Sequence, residues 1–327
     1  DRLVVMSRRA VDFLKEVYGV SEERIDFIHH GIPDVPFIDP NYHKDLFGVE
    51  GRRVILTFGL LSRNKGIEYA IEALPRVIKE HEDVVYIVLG ATHPVVRRES
   101  GEEYRLYLQR RVRELGLRDH VIFHNRFVEL EELCEFIGAA DLYVTPYLNE
   151  AQIVSGTLAY SLGAGKAVVS TPYWYAQELL AEERGHIVDF KNPDQLADRM
   201  IELLDHEVER HAMRKRAYTY GRDMVWKEVV KKYLDSFAMA REMKLHAPRM
   251  SVPVSESTAL DIELPELNLK HLKLMTDDNG MVQHAKCTVP NWHEGYTTDD
   301  NARALIVVVL AQFLFGEAPE LRTLASR

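Results

Sequence analysis

From residue 54 to residue 205 the sequence alternates short apolar stretches with longer amphipathic ones, and this alternation constrains the fold more than any other feature. The short stretches are apolar throughout, whereas a strand with one solvated face alternates apolar and polar residues. Strands that alternate with helices of about ten residues or more form βαβ units. The sequence therefore predicts an α/β fold, a doubly wound parallel sheet covered by helices on both faces. The predicted strands are 54–58, 84–89, 120–123, 141–145, 166–170 and 186–189. The predicted helices are 65–80, 102–115, 129–139, 156–163, 175–183, 193–205, 207–219 and 224–244.

The ends of this pattern indicate more than one domain, since 327 residues suffice for about two domains of ~100–200 residues each. The chain opens without methionine inside a predicted strand, and Ser7 is the predicted N-cap of a helix from Arg8 to Tyr18. The Pro- and Ser-rich segment 246–259 lacks apolar periodicity and is the predicted linker. The sequence of residues 260–327 predicts the start of an all-helical segment. We expect a fragment that cuts through a domain at each end.

Charge and cysteine usage exclude several classes of partner. The net charge of −10 and a pI near 5.8 argue against a nucleic-acid-binding protein, which normally has a basic face. An anionic ligand would therefore need a local pocket. Cys134 and Cys287 lie too far apart in sequence for a disulfide framework or a zinc site, which fits a reducing cytoplasm. No apolar run approaches the ~20 residues of a membrane span, there is no signal-peptide pattern, and no feature bears on the oligomeric state.

The loop "GLLSRNKG" connects the first strand of the alternating pattern to its helix. It holds Arg63 and Lys65, two cations just before a helix N-terminus. Free N–H groups at a helix start attract anions, with a dipole contribution of roughly 0.3–1 kcal/mol. The loop thus predicts an anion site. The alternative is a pair of solvated cations near a turn.

The stretch "TPYLNEAQIVSGTLAYSLGAG" is the second candidate. Glu150 and Gln152 lie in the loop, and Ser155 is the predicted N-cap of a helix rich in small residues that starts at Gly156 and Thr157. Small residues there allow a diphosphate to approach the backbone N–H groups closely. Alternatively, they only permit tight packing of the helix on the sheet. Both interpretations can hold together.

Two further loops follow strands of the same predicted sheet. His93 lies in "LGATH" and Arg126 in "HNRF". In an open parallel sheet, ligands bind in the loops at the carboxyl ends of the strands. Both residues are therefore candidates for substrate binding, against the alternative of ordinary polar loop residues.

The order and spacing of these segments resemble the C-terminal half of the family 4 retaining glycosyltransferases of the GT-B fold. The resemblance covers about residues 1–240 and rests on six elements in order. The segments are "FGLLSRNKGIEYAIEAL", "YIVLGA", "VIFHNRFV" with "ELCEFIGAADLYVTPYLNE", "GAGKAVVSTP", "QELL" with "RGHIVDFKNPDQLADRMIELL", and "RDMVWKEVVKKYLDSF". "VVMSRRAVDFL" and "IHHGI" match the end of that family's N-terminal domain and its crossover.

The resemblance implies a domain plan and a substrate class. Residues 1–35 would be the end of the N-terminal domain with its crossover, and 36–245 a Rossmann-like domain that binds a nucleotide sugar. A final helix, about 224–240, would return to the N-terminal domain, against which a carbohydrate acceptor would lie. No metal and no cofactor besides the nucleotide-sugar co-substrate (UDP-, GDP- or ADP-sugar) would be required.

This chain departs from the family at two charged positions. Gly59, Lys65 and Gly66 match, but Leu60 occupies the place of an arginine that holds the donor diphosphate, and Arg63 would be its replacement. Counted from Pro146, the first family glutamate is Glu150. Counted back from Gly165 it is Gln152, and the second glutamate position, normally in contact with the donor ribose, is Tyr160. These departures leave the nucleotide base open.

The implied chemistry is transfer of a sugar with retention, in which negative charge grows on the leaving diphosphate. Lys65, Arg63 and the backbone at 155–157 would stabilise that charge, and Glu150 or Gln152 would hold the sugar hydroxyls. Gly59, Gly66, His93 and Arg126 would complete the substrate site. This plan predicts a cytoplasmic hexosyltransferase.

The tail contains a second motif, "HEGYTTDDNARAL". Asp299 and Asp300 precede a strong helix, and His284 and Trp292 lie near them in sequence. Helix capping is one interpretation. A sugar-gripping or sugar-cleaving site is the other, because carboxylates combined with aromatic side chains serve that purpose. The segment loosely resembles the start of a toroid-like carbohydrate-active domain.

Three functions therefore compete. The first is the glycosyltransferase. The second is a non-catalytic module that binds sugar nucleotides or glycans, suggested by Leu60 and Tyr160 at positions where the family has charged residues. The third is a bifunctional protein whose tail is a glycoside hydrolase or phosphorylase.

Overall fold

The structure, a computed structural model, describes residues 2–246, 268–315 and 319–326. The chain divides into two compact units, Asp1–Arg249 and Met250–Arg327. Residues 247–259 of the predicted linker lie outside the described residues. Each unit is described separately.

The first unit begins with a small βαβ segment. Strands β1 (Leu3–Val5) and β2 (Ile25–Phe27) pair in parallel, and helix α1 (Arg8–Tyr18) connects them. The Ser7 side chain accepts a hydrogen bond from the Ala10 N–H, which confirms the predicted N-cap. Gly19, at a φ of 62°, ends the helix in the left-handed conformation.

The main sheet is parallel, with six strands in the order β5-β4-β3-β6-β7-β8. The strands are β3 (Arg53–Phe58), β4 (Val84–Leu89), β5 (Val121–His124), β6 (Leu142–Thr145), β7 (Ala167–Ser170) and β8 (His186–Ile187). The strand order reverses between β3 and β6, as in a doubly wound sheet. The predicted fold class is confirmed, and each strand falls within one or two residues of its predicted bounds.

The described part of the first unit contains ten α-helices, which are α1 and nine that follow it. The others are α2 (Ile67–Glu80), α3 (Pro94–Ser100), α4 (Glu103–Glu114), α5 (Leu130–Ala139), α6 (Gly156–Gly163), α7 (Trp174–Leu179), α8 (Pro193–Asp205), α9 (Glu207–Gly221) and α10 (Trp226–His246). Short 3-10 turns lie at Glu22–Arg24, Pro40–Phe47, Arg63–Lys65 and Arg222–Met224. Helix α3 was not predicted. Helix α7 ends before the predicted residue 183, since Glu182 and Glu183 have φ values of 55° and 57°.

Both faces of the sheet are buried, which explains the uninterrupted apolar strands in the sequence. Alternate residues of one strand belong to different hydrophobic clusters, because side chains along a strand point to opposite faces. Ile55 and Tyr86 belong to the cluster packed with Leu74 of α2. Leu56 belongs to the cluster packed with Leu158 of α6.

Helix α10 contacts the N-terminal segment of the same unit. The Trp226 N–H donates to the Ile32 carbonyl at 3.0 Å, and Ser236 Oγ donates to Asp26 Oδ2 at 2.7 Å. Asp26 also pairs with Arg2. The last helix of the unit thus returns to the segment that precedes the main sheet.

His29 gives the first unit an acid-sensitive element. Its ring packs edge-on against Phe27 and Tyr220, with ring centroids 4.6 Å and 5.5 Å away. Burial, with the nearby charges of Lys232 and Arg8, lowers the pKa of His29 from 6.5 to about 4. As the pH falls, His29 therefore becomes protonated in the unfolded chain before it does so in the folded one. We expect this group to cost roughly 3 kcal/mol of stability as the pH falls from about 6.5 to about 4.

The comparison of wild type with His29→Phe tests this prediction, because phenylalanine keeps the aromatic packing and cannot titrate. Urea unfolding at several pH values should give a smaller loss of stability on acidification for the variant. Equal losses for both proteins would show that His29 is not responsible.

The second unit contains helices α11 (Lys270–Met275), α12 (Thr298–Phe315) and α13 (Pro319–Ala325), with a 3-10 turn at Trp292–Glu294. Two antiparallel hairpins separate α11 from α12, formed by β9 (Thr276–Asp277) with β10 (Gly280–Met281) and by β11 (Ala285–Lys286) with β12 (Val289–Pro290). The all-helical prediction is therefore wrong for 276–290. The sequence "TDDNG" forms a turn in which the Asn279 N–H donates to Asp277 Oδ1 at 2.8 Å.

Candidate functional site

The candidate site of the first unit lies where the strand order reverses. Strands β3 and β6 are neighbours there, and the loops that follow them, 59–66 and 146–155, come into contact. The Leu148 N–H donates to the Asn64 carbonyl at 2.9 Å, which ties the two loops together. Open α/β sheets bind ligands at this switch point.

Gly66 makes the close contact of the loops sterically feasible. Its φ is 59°, a left-handed conformation that favours glycine. A Cβ atom on residue 66 would lie 2.1 Å from the Pro146 carbonyl oxygen, inside van der Waals contact. Only glycine therefore lets the loop turn into α2 at this distance from the other loop.

A chain of polar groups connects Lys65 to the start of α6. Lys65 Nζ lies 2.5 Å from Tyr147 Oη, which lies 2.8 Å from Thr157 Oγ1. Thr157 Oγ1 in turn lies 3.1 Å from Ser155 Oγ, the N-cap of α6. The structure therefore brings together Lys65, Ser155 and Thr157, which the sequence predicted to share one site.

The direction of these hydrogen bonds follows from the Lys65 ammonium. An ammonium group has only donors, so Tyr147 Oη accepts from it, and Oη shares a second hydrogen bond with Thr157 Oγ1 in which either hydroxyl can donate. Burial alone would raise the pKa of Tyr147. The charge of Lys65 and its hydrogen bond outweigh that effect, and the pKa of Tyr147 is lowered.

A cavity of about 290 Å³ opens beside this chain of polar groups. Its walls are mostly apolar, and they come from the ends of β3 and β4, the loop after β5, and the start of α6. The lining residues are His30, Phe58, Gly59, Leu60, Leu89, Gly90, Ala91, Arg126, Phe127, Val128, Leu133, Gly156, Thr157 and Tyr160. A Cβ atom on Gly59 would lie 3.2 Å from Thr157 Cγ2 and 3.8 Å from Lys65 Nζ, so the ammonium lies at the edge of this cavity.

His30 is a lining residue that the sequence did not predict. Its Nδ1 lies 2.8 Å from the Gly31 carbonyl, which can only accept, so Nδ1 carries a proton. Nε2 faces the start of α6, 3.2 Å from where a Cβ atom on Gly156 would be. The only signal in the sequence was the His-His-Gly turn in the crossover, more than a hundred residues from α6.

Arg63 does not take the place of the missing family arginine. Its guanidinium pairs with Glu103 of α4 at 2.6 Å and lies over the rings of Tyr104 and Tyr107. Leu60 lines the cavity instead. The predicted role of Arg63 at the diphosphate is thus not supported by its placement.

Glu150 and Gln152 lie outside the cavity lining. Glu150 is exposed, and its carbonyl accepts from the Trp174 N–H at 2.9 Å. Gln152 Nε2 donates to the Val154 carbonyl at 3.2 Å within the same loop. Both residues belong to the loop that ends at the α6 N-cap, so they remain candidates for contact with a bound sugar.

The two remaining loop candidates differ in position. His93 is the N-cap of α3, and its side chain accepts from the Val95 N–H at 3.2 Å. Arg126 lines the cavity and pairs with Glu132 at 2.7 Å. Phe127, the next residue of the same candidate loop, has 75% of its surface exposed and adds an aromatic ring to the cavity rim.

In the second unit, Arg303 engages both predicted carboxylates. It lies 3.0 Å from Asp299 Oδ2 and 2.9 Å from Asp300 Oδ1, within the first turns of α12. A cavity of about 610 Å³ in this unit is lined by residues that include Tyr296 and Asn301. None of Asp299, Asp300, His284 and Trp292 lines it, and the placement of the carboxylates fits the capping interpretation.

No group of three or more His, Cys, Asp or Glu residues in the described ranges is placed to hold a metal ion. Likewise, the described helices include none with the length and apolar character of a membrane span.

The doubly wound parallel sheet, with a cation and a helix start at its switch point, has the architecture of the Rossmann-like half of a GT-B fold, which solved structures share. The sequence pattern of the family described as "Glycosyl transferases group 1" matches residues 39–220, and the chain belongs to that family.

Two curated relatives match much of this chain. Spore coat protein SA of Bacillus subtilis is 28% identical over 173 residues, which are 51% of this chain and 44% of the relative. D-inositol 3-phosphate glycosyltransferase of Corynebacterium urealyticum is 26% identical over 268 residues, 79% of this chain and 61% of the relative. The chain thus spans about half the length of the curated relatives it matches.

Solved structures share the fold. Anabaena Alr3699/HepE in complex with UDP-glucose superposes with a TM-score of 0.60 at 18% identity, covering 74% of this chain and 64% of that one. WaaG, a glycosyltransferase involved in lipopolysaccharide biosynthesis, superposes with a TM-score of 0.56 at 20% identity, covering 72% and 62%.

Proposed function

We propose that this chain is the donor-binding part of a retaining glycosyltransferase that moves a hexosyl group from a nucleotide sugar to a glycan or small-molecule acceptor. The observation that carries the proposal is the convergence of Lys65 and the start of α6 beside an apolar cavity at the switch point. Membership of the glycosyl transferases group 1 family supports it.

The diphosphate of the donor would lie at the start of α6. The N–H groups of Gly156 and Thr157 belong to the first turn of that helix, where backbone donors have no partner within the helix. The Lys65 ammonium adds a full positive charge at the same place. Fixed positive charge and oriented N–H dipoles stabilise the negative charge that grows on a leaving diphosphate.

The nucleoside and the sugar of the donor would lie on either side of the diphosphate. The apolar cavity with Phe127 at its rim offers surface for stacking of a base. Glu150 or Gln152, in the loop before α6, would hold the sugar hydroxyls. The solved structure of Alr3699/HepE holds UDP-glucose, so a UDP-sugar is the first donor to test.

Calorimetry on the full chain with UDP, GDP and ADP tests the proposal. We expect one of the three to bind clearly more tightly than orthophosphate, because both the base and the diphosphate have a place in the site. For the nucleotide that binds, its sugar conjugates should release the nucleoside diphosphate when an acceptor is added, and NMR of the product should show retention at the anomeric carbon. Absence of binding by all three nucleotides would refute the proposal.

A non-catalytic binding module is the second candidate. Leu60 and Tyr160 line the cavity at positions where related glycosyltransferases carry charged residues, which favours binding without turnover. A thermal shift with a nucleotide sugar, without release of the nucleoside diphosphate in the presence of acceptors, would support this candidate.

The tail as a glycoside hydrolase or phosphorylase stays a prediction. It would require that Asp299→Ala or Asp300→Ala abolish glycan cleavage and leave nucleotide binding unchanged. The pairing of both carboxylates with Arg303 favours a structural role for them.

A further inference from the structure

Tyr147 is a fully buried side chain directly under the candidate diphosphate site. It is 0% exposed, and its ring stacks on that of Tyr173 with centroids 5.3 Å apart and an interplanar angle of 18°. Its backbone carbonyl accepts from Thr171 Oγ1 at 2.5 Å. The ring is therefore held by packing and by the backbone independently of its hydroxyl group.

This rigid ring contacts the Lys65 ammonium in two ways. Tyr147 Oη accepts a hydrogen bond from Nζ at 2.5 Å, and Nζ lies 3.8 Å from the ring centroid, within range of a cation–π contact. A lysine side chain has four flexible carbons and loses roughly 2 kcal/mol of conformational entropy when it is fixed. Contacts that fix it before the ligand binds remove that cost from the binding step.

We propose that Tyr147 is a positioning residue that holds the Lys65 ammonium in register with the start of α6, so that both grip the same diphosphate. This inference rests on the proposed function. The Tyr147 hydroxyl links the two parts directly, because it accepts from Lys65 and shares a hydrogen bond with Thr157 of the first turn of α6. The hydroxyl group contributes more than the ring to the positioning of the Lys65 ammonium.

The protonation state of Tyr147 gives the proposal a distinctive readout. Burial raises the pKa of this phenol, but the charge and hydrogen bond of Lys65 outweigh burial and lower it. The other titratable groups that face it are Tyr143 of β6, Tyr173 before α7 and Tyr86 of β4, which are themselves buried phenols with raised pKa values. Above its pKa, the Tyr147 phenolate neutralises Lys65, so the affinity for a diphosphate should fall on the alkaline side.

The test compares wild type, Tyr147→Phe, Lys65→Met and the double variant by calorimetry with UDP, GDP and ADP. For whichever of the three nucleotides binds, we expect Tyr147→Phe to lower the affinity about tenfold, since a hydrogen bond to a charged group is lost. The double variant should be no weaker than Lys65→Met alone, because the hydroxyl acts only through the ammonium. The alkaline loss of affinity should begin at a higher pH in Tyr147→Phe, because that variant has no phenol beside the ammonium.

Tyr175→Phe is the matched control. Tyr175 is a buried tyrosine of α7, outside the cavity lining, and its hydroxyl has no hydrogen-bond partner among the described residues. Its loss should leave nucleotide affinity unchanged. Ultraviolet titration adds a test that needs no ligand: one tyrosine should ionise at lower pH in wild type than in Lys65→Met, even if Tyr147→Phe fails to fold.

The outcomes separate the two proposals. If wild type binds none of the three nucleotides, the proposed function fails, and the role of Tyr147 at a diphosphate fails with it. If wild type binds one of them and Tyr147→Phe binds it as tightly as Tyr175→Phe does, only the positioning role is overturned. Additive losses in the double variant would also overturn it.

Discussion

Replacement of Lys65 by methionine should lower the turnover of the nucleotide sugar by roughly 100- to 1000-fold, about 2.7–4 kcal/mol of transition-state stabilisation. The ammonium lies at the edge of the cavity, linked through Tyr147 to Thr157 at the start of α6. In the proposed reaction, negative charge increases on the diphosphate as the sugar leaves. A fixed positive charge is therefore worth more in the transition state than in the bound donor. Release of the nucleoside diphosphate under saturating and limiting donor gives kcat and KM separately.

The loss should appear mainly in kcat, with a smaller effect on KM. Lys79→Met is a suitable control, since Lys79 is an exposed lysine of α2, the helix that follows Lys65, and its replacement changes the net charge equally. Thermal melting of both variants checks the fold. Turnover by Lys65→Met within a few fold of Lys79→Met would remove Lys65 from the mechanism.

Most of the fold could be predicted because the spacing of apolar residues along the sequence indicates which faces of each helix and strand are buried. Residues 84–89 are apolar without interruption, and in the structure they form β4 with alternate side chains in the two clusters. The tail was predicted less well. The turn "TDDNG" contains a strong hairpin signal, yet the apolar residues on either side of it suggested a helix, and the hairpin at 276–281 was missed.

A residue of the site could be predicted only where its place in the local sequence, such as just before a helix, indicates its role. Lys65 and Ser155 each precede a helix, and that local pattern is visible in the sequence. Tyr147 and His30 reach the site through space, from the end of β6 and from the crossover, and no local pattern marks them. Arg63 shows the converse, since it is near Lys65 in sequence, but its side chain pairs with Glu103 of α4.

A second large effect is expected at Asp141, at the start of β6. Asp141→Ala should destabilise the first unit by roughly 3–5 kcal/mol, the usual cost of leaving one buried charge without its partner. Asp141 Oδ2 lies 2.9 Å from Lys44 Nζ and accepts from the Val54 N–H at 2.7 Å, and these two charged side chains are only 11% and 5% exposed. Urea unfolding, followed by circular dichroism, measures the change in the free energy of unfolding.

The double variant Lys44→Met/Asp141→Ala separates the charge effect from the lost hydrogen bond. It should recover part of the stability, because the double change removes both members of the Lys44–Asp141 ion pair. The Val54 N–H still loses its acceptor, and the buried Lys166 and Arg214 lose the nearby charge of Asp141. Asp141 lies at the amino end of β6, and the cavity lies beyond the carboxyl ends of the strands. Nucleotide affinity of the folded fraction should therefore match wild type. A double variant as unstable as Asp141→Ala would mean that the unpaired charge of Lys44 is not the cause of the lost stability.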